Sequence, residues 1–481
     1  MATATVTLNP RPPLIIFCAL LSSTEALVTD AVRHTSLSLS GAGWKLSSPP
    51  RVTGVPALVP NDIADDLERA GLLPDLWYGL NAMNRSKWLW EREWTLTLEF
   101  ATPSLPDDGA AAMSWLAFDG VDYNCTVALN GQLVGSHVGA FEPFELDVSS
   151  VLIPPGSDGN NTVVLTLLPP PPFVLDELFP NSTTTLGYPT SNEGLDHCRV
   201  NREMLPWRSR LNFWDFATKH WSNGIWKHVA LRQTVAAARL ASNLKLRADL
   251  AAPYENASLT ASVRWQMLRA VSTATSFRLR LSVVCLTDAA AATASTEVEL
   301  PTNEDGGPWQ TAQVKLHVRK PQLWWPSGYG EQSLYSVHAS LLQCTHTTGC
   351  VEADEVVEPS FGFRELQALR NPLISSAPKH ATWLYAQWGY PDPKGKPWIL
   401  NSSDYKGAAD PREWMLAVNG RRVFLRGGNW VPLDQMFGRG VREEGRMRAV
   451  LTLARDAGYT FLRVGACPLR IHPPTESPPT G

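Results

Sequence analysis

Period-two alternation of apolar and polar residues, in short runs across most of the first 365 positions, constrains this chain more than any other feature. Trp94, Leu96, Leu98 and Phe100 alternate with Thr95, Thr97 and Glu99, and Phe144, Leu146 and Val148 alternate with Glu145 and Asp147. Successive side chains of a strand point to opposite faces, so these runs predict half-buried antiparallel strands. Val127–Leu129 and Gln132–Val134 flank Asn130-Gly131, a pair that supplies the two positive φ angles of a type I′ hairpin turn. The rhythm predicts a jelly-roll sandwich over about 40–232. Pro169–Pro172 interrupt it, and the polar stretch to about Arg202 reads as a surface excursion before FWDF (213–216) and NGIWKHVAL (223–231) restore order. Alternation resumes over 233–365, where Phe277, Leu279, Leu281 and Val283 share one face and Val314, Leu316 and Val318 mark another strand. That spacing suits a small immunoglobulin-like β-sandwich.

The remaining third of the chain reads differently. Residues 366–413 do not alternate; they carry six prolines with Trp383, Trp388 and Trp398, which predicts a long ordered insertion and not a flexible linker. VNGRRVFLRGGNWVPLD (418–434) then opens with the hairpin pair Asn419-Gly420, and Val423–Leu425 is strand-like. A helix is expected from about Glu443, because Met447, Val450, Leu451 and Ala454 recur at helical spacing and Gly458 suits the C′ position. YTFLRVG (459–465) supplies a second strand, making 414–465 the first βαβ unit of an α/β barrel. A whole barrel of this kind takes roughly 250 residues, whereas the sequence ends at Gly481, 23 residues beyond Gly458. About two of eight strands are accounted for. Residues 466–481 are rich in proline, are expected to be disordered, and suggest a frame change, a retained intron or a premature end in the gene structure more than a short isoform. Two parallel strands and one helix leave edges and an apolar face uncovered, so 414–481 is expected to be poorly ordered or aggregation-prone.

With 481 residues, 44% hydrophobic and 18% charged, the chain has room for two or three globular domains. Its net charge of −4 argues against nucleic acid or an anionic membrane as the main partner. Arg11, the apolar run Leu14–Leu21 and Thr24-Glu25-Ala26 form a signal-peptide pattern over 1–28, and no other segment has the ~20 apolar residues needed to span a bilayer. Sequons stand at Asn84, Asn124, Asn160, Asn181, Asn256 and Asn401. Seven cysteines show no metal-like CxxC spacing, and Cys344 and Cys350 are spaced to close a small hairpin disulfide in a secreted protein. A secreted or luminal (lysosome- or vacuole-like) location is expected. Nineteen tryptophans are open to two readings, sandwich core or stacking platforms for sugar rings.

WLWEREWTLTLEF (88–100), FDGVDYNCTVALNGQLVG (118–135) and NGIWKHVAL resemble, in order, the N-terminal sugar-binding-type domain of glycoside hydrolase family 2. VPNDIADDLERAGLLPDLWYGLN (59–81) is most similar to the β-mannosidase branch, and KPQLWWPSGYGEQSLYSV (320–337) and FGFREL (361–366) resemble the family's immunoglobulin-like domain. The resemblance implies a retaining hydrolase of β-linked mannosides or related oligosaccharides. It places Trp214-Asp215 on a loop leaning over the barrel mouth, although Trp214 in the core and Asp215 capping a turn is an equal reading. It also places Asn429, Trp430 and Asp434 after the first barrel strand and Arg463 at the end of the second, as substrate-binding residues. Retaining chemistry needs two carboxyl groups about 5–5.5 Å apart. The family carries its acid/base Glu, after an Asn, at the fourth strand and its nucleophile at the seventh, so no catalytic residue is assigned and the chain as given is expected to be inactive. Asn192-Glu193 and Asn303-Glu304 sit at no barrel strand. His137, His197 and His220 show no spacing for a metal or a nucleophile–base pair, and neither cofactor nor metal is expected. Two other readings stay open: a non-catalytic carbohydrate-binding protein, and a glucosaminidase- or galactosidase-type relative. Sugar specificity and oligomeric state are not legible.

Overall fold

The computed structural model describes residues 34–81, 87–89, 92–105, 112–169, 222–288, 294–301, 307–347, 349–370, 414–430, 433–434 and 436–464. The first unit runs β1 (His34–Ser38), β2 (Gly41–Ser48), β3 (Val52–Val59), α1 (Ile63–Arg69), β4 (Trp94–Phe100), β5 (Met113–Phe118), β6 (Val121–Asp122), β7 (Asn124–Leu129), β8 (Gln132–Val138), β9 (Phe144–Asp147), β10 (Asn161–Leu167), β11 (Gly224–Ile225) and β12 (Val229–Thr234). A four-stranded sheet, β1-β12-β5-β9, faces a six-stranded one, β3-β2-β4-β10-β7-β8. Both contribute to one core: Leu116, Phe118 and Leu231 from the first, Trp44, Leu46, Trp94, Leu96 and Leu165 from the second. Alternation on β4 is as expected, with Trp94, Leu96, Leu98 and Phe100 buried. The two core indoles keep a polar partner, since Trp44 Nε1 donates to the Leu39 carbonyl (2.8 Å) and Trp94 Nε1 to that of Leu89 (2.6 Å). Asn130 and Gly131 take φ of 52° and 82° between β7 and β8, the anticipated hairpin.

Seven further strands build the second sandwich: β13 (Ala238–Leu250), β14 (Asn256–Met267), β15 (Thr275–Cys285), β16 (Ala294–Leu300), β17 (Gln310–Arg319), β18 (Tyr335–Thr345) and β19 (Gly349–Phe361). They form the sheets β13-β14-β17 and β16-β15-β18-β19 around Trp265, Phe277, Leu279, Leu281, Leu316, Val337 and Phe363. Cys344 and Cys350 face each other across β18 and β19 and are joined in a disulfide. The sandwiches meet at Arg239. Its guanidinium lies 3.8 Å from the Trp115 ring centre and 4.7 Å from that of Trp309, and pairs with Glu145 at 2.8 Å. Glu145 also holds Arg232 at 2.9 Å.

β20 (Leu366–Arg370) pairs with β21 (Trp414–Val418), which pairs with β22 (Arg421–Val423). Leu366–Arg370, placed in the insertion by the sequence reading, is therefore a strand; its partner lies more than forty residues downstream, so no local pattern marks it. Asn419-Gly420 makes the predicted turn, with φ of 49° and 74°. Asn419 also sews the hairpin to the second sandwich, accepting from the Glu365 amide (2.9 Å) and donating to the Trp324 carbonyl (3.0 Å). The first parallel strand is β23 (Gly427–Trp430), paired with β24 (Phe461–Val464), and not Val423–Leu425 as expected, because Val423 ends the antiparallel hairpin. Between them lie α2 (Phe437–Arg442) and α3 (Glu444–Asp456). Gly458 follows α3 with φ of 77°, the C′ role assigned to it. The hairpin is tied to the second sandwich, and α2 packs against the first. The uncovered apolar face is nonetheless present: Leu453 and Val464 are exposed, as are Val450, Leu451 and Phe461 to a lesser degree. The expected signal peptide, the proline-rich tail, residues 371–413, and the sequons at Asn84, Asn181 and Asn401 lie outside the described residues.

Candidate functional site at the ends of two parallel strands

β23 and β24 run in register, with Asn429 opposite Arg463 and Trp430 opposite Val464. Gly427 makes this pairing possible, since a Cβ there would overlap the Phe461 carbonyl. The consequence is that Asn429 and Arg463 stand side by side at the carboxyl ends of parallel strands, where α/β barrels build their sites. Arg463 Nη1 donates to Asn429 Oδ1 at 3.1 Å, and both residues are exposed. Asn429 and Trp430 belong to the strand itself and do not follow it, as the sequence reading had them; Trp430, one position on, turns to the opposite face.

Asp434 is occupied otherwise. Its side chain is 7% exposed; Oδ1 accepts from the Met436 amide at 2.9 Å, while Oδ2 lies 3.3 Å from Arg446 Nη1 and 3.8 Å from Arg439 Nε. Burial works against the charge of Arg439, but Glu443, Asp434 and Asp65 outweigh it and its pKa rises. Asp434 thus organises its loop through ion pairs. Trp214, Asp215, Asn192-Glu193, Asn303-Glu304, His197 and His220 lie outside the described residues. His137 is half-buried, shares a 3.1 Å hydrogen bond with the Gly139 carbonyl and stacks on Phe144 at 4.0 Å; burial lowers its pKa. That is a packing role. Among the described residues no group of three His, Cys, Asp or Glu side chains is placed to hold a metal ion.

Sequence reasoning singled out NGIW but not what its tryptophan does. Trp226 Nε1 donates to the Ala140 carbonyl at 2.6 Å, and its ring packs 5.7 Å from Phe141 and 5.5 Å from Phe437 of α2. Chemically, the Asn429–Arg463 pair offers amide and guanidinium donors suited to hydroxyl or carboxylate oxygens, and no proton-transfer group accompanies it among the described residues of β23 and β24.

Residues 44–227 match the galactose-binding-like domain of glycosyl hydrolase 2, and residues 238–364 match the adjoining domain of glycosyl hydrolases family 2. The chain carries two domains of glycosyl hydrolase family 2. The two matched stretches coincide with the two sandwiches. A β-mannosidase B of Aspergillus clavatus is 27% identical over 78% of the chain, and a β-mannosidase A of Emericella nidulans is 24% identical over 91%. The chain spans about 40% of the length of these curated relatives. The crystal structure of a β-D-mannosidase from Dictyoglomus thermophilum superposes with a TM-score of 0.62 at 22% identity, covering 89% of the chain and 44% of that protein, which shows a shared fold.

Proposed function

We propose that this chain forms the N-terminal part of a β-mannosidase-type glycosidase that releases β-linked mannose from oligosaccharides by a retaining mechanism. The observation that carries the reading is the combination of the two family 2 sandwiches with a parallel βαβ unit whose strand ends pair Asn429 with Arg463. In this reading Asn429 and Arg463 line one wall of the sugar pocket, Trp430 stands beside it at the strand end, and Trp214-Asp215 supplies a stacking face and an acceptor. Asp434 contributes by holding the loop. The two carboxyl groups of retaining chemistry are contributed by later barrel strands. A secreted or luminal location is supported by the Cys344–Cys350 disulfide and by exposed sequon asparagines at Asn160 and Asn256. Arg463→Ala tests the site, in a polypeptide continued through the whole barrel. Loss of a charged hydrogen-bond donor to substrate is expected to lower kcat/KM on a β-mannoside by about 10- to 100-fold; unchanged kinetics would remove Arg463 from the pocket.

A further inference from the structure

The loop after β23 is held by the first sandwich through three different kinds of contact. Met436 is fully buried in that sandwich's core, and Phe437 packs its ring 5.5 Å from Trp226 and 6.1 Å from Phe141. Gly438 lies so close to Asn61 that a Cβ would overlap the Asn61 backbone. Arg442 donates to Asn61 Oδ1 and, at 2.8 Å, to Asp65 Oδ2, and Asn61 Nδ2 in turn donates to Asp65 at 2.9 Å. Around this joint, three carboxylates (Asp65, Asp434, Glu443) interlock with three guanidiniums (Arg439, Arg442, Arg446). The charges balance.

A six-residue helix cannot sustain itself. Isolated helices shorter than ~12–15 residues are marginal in water, and α2 has no side-chain hydrogen bond at its N-cap. Its order must come from what it touches, and the contacts described above are with Asn61, Asp65, Phe141 and Trp226 of the first sandwich. Asp65, 7% exposed, would be left as a poorly compensated buried carboxylate without Arg442.

We propose that segment 436–442 is an intramolecular lock whose docking onto α1 and the turn before it fixes Asp434 and the connection from the end of β23. Arg442 is its positioning residue, and Gly438 permits the close approach. The lock does not rest on the glycosidase reading, since every contact in it lies within this chain, and its test needs no activity. The first sandwich thereby takes on a second task, holding in place the segment that follows β23.

Hydrogen–deuterium exchange on the whole chain tests this with Gly438→Ala, which attacks the fit sterically, and Arg442→Ala, which attacks it electrostatically. Arg455→Ala, removing an exposed pair with Asp456, is the control. Both lock variants should exchange the amides of 437–443 at least tenfold faster while β4 and β10 keep their protection, and the control should match the parent. Unchanged exchange in either lock variant would overturn the proposal. So would equal loss in the control, or loss spread evenly over β4 and β10, because the contact would then support the sandwich core and not the loop.

Discussion

Asp66 should make the first sandwich lose stability as pH rises. Its carboxyl, on α1 with a side chain only 2% exposed, accepts from Asn61 Nδ2 at 2.6 Å and from the Leu58 amide at 3.1 Å through the same oxygen, Oδ1. Burial, with some help from neighbouring Asp65, pushes its pKa up to about 7 despite those bonds and the Arg69 guanidinium 3.5 Å away. A folded pKa above the unfolded one means that folding favours the protonated form. The stabilisation is fully present below about pH 4 and is lost as pH rises toward 7. At 1.36 kcal/mol per unit, the loss between these limits is about 3–4 kcal/mol. Asp66→Asn keeps the Oδ1 acceptor for Asn61 and Leu58 and removes the titration. Urea unfolding followed by tryptophan fluorescence at pH 4, 6 and 8 should therefore show near-equal stability of parent and variant at pH 4, with the variant ahead by about 3 kcal/mol at pH 8. A variant that is no more stable than the parent at pH 8 would refute the reasoning, because the buried carboxylate would then be compensated by a partner that prefers the charge.

Two further outcomes follow from packing and backbone approach. Trp265→Ala, at a 1% exposed site packed beside Phe277, should cost the second sandwich about 3–5 kcal/mol in the same assay. Gly427→Ala should separate β23 from β24 by forcing a Cβ into the Phe461 carbonyl, seen as loss of exchange protection at 461–464 with β21–β22 unaffected.

Local rules were enough wherever partners are close in sequence. The Asn130-Gly131 and Asn419-Gly420 turns, the alternation on β4 and β15 and the Cys344–Cys350 closure all follow from neighbours a few residues apart. What stayed illegible is non-local. β20 acquires its strand from β21 across residues 371–413. Gly427–Trp430 is a strand because Phe461 lies alongside it, although Gly-Gly has little strand propensity of its own. The Asp65–Arg442 pair joins residues 377 positions apart, and no periodicity in either segment announces the other. The ion pairs of Asp434 with Arg439 and Arg446 depend on how α2 and α3 turn back on the loop, which spacing alone does not fix.

The central claim is a β-mannosidase-type glycosidase, and initial rates on p-nitrophenyl β-D-mannoside, β-D-galactoside and β-D-glucosaminide test it most directly. The enzyme would be a polypeptide that begins with this chain and continues through the whole barrel, with the first-formed anomer read by NMR. The account predicts that the mannoside is cleaved fastest and that β-mannose appears first. Faster cleavage of either other sugar, α-mannose as the first product, or no cleavage of any of the three would contradict it.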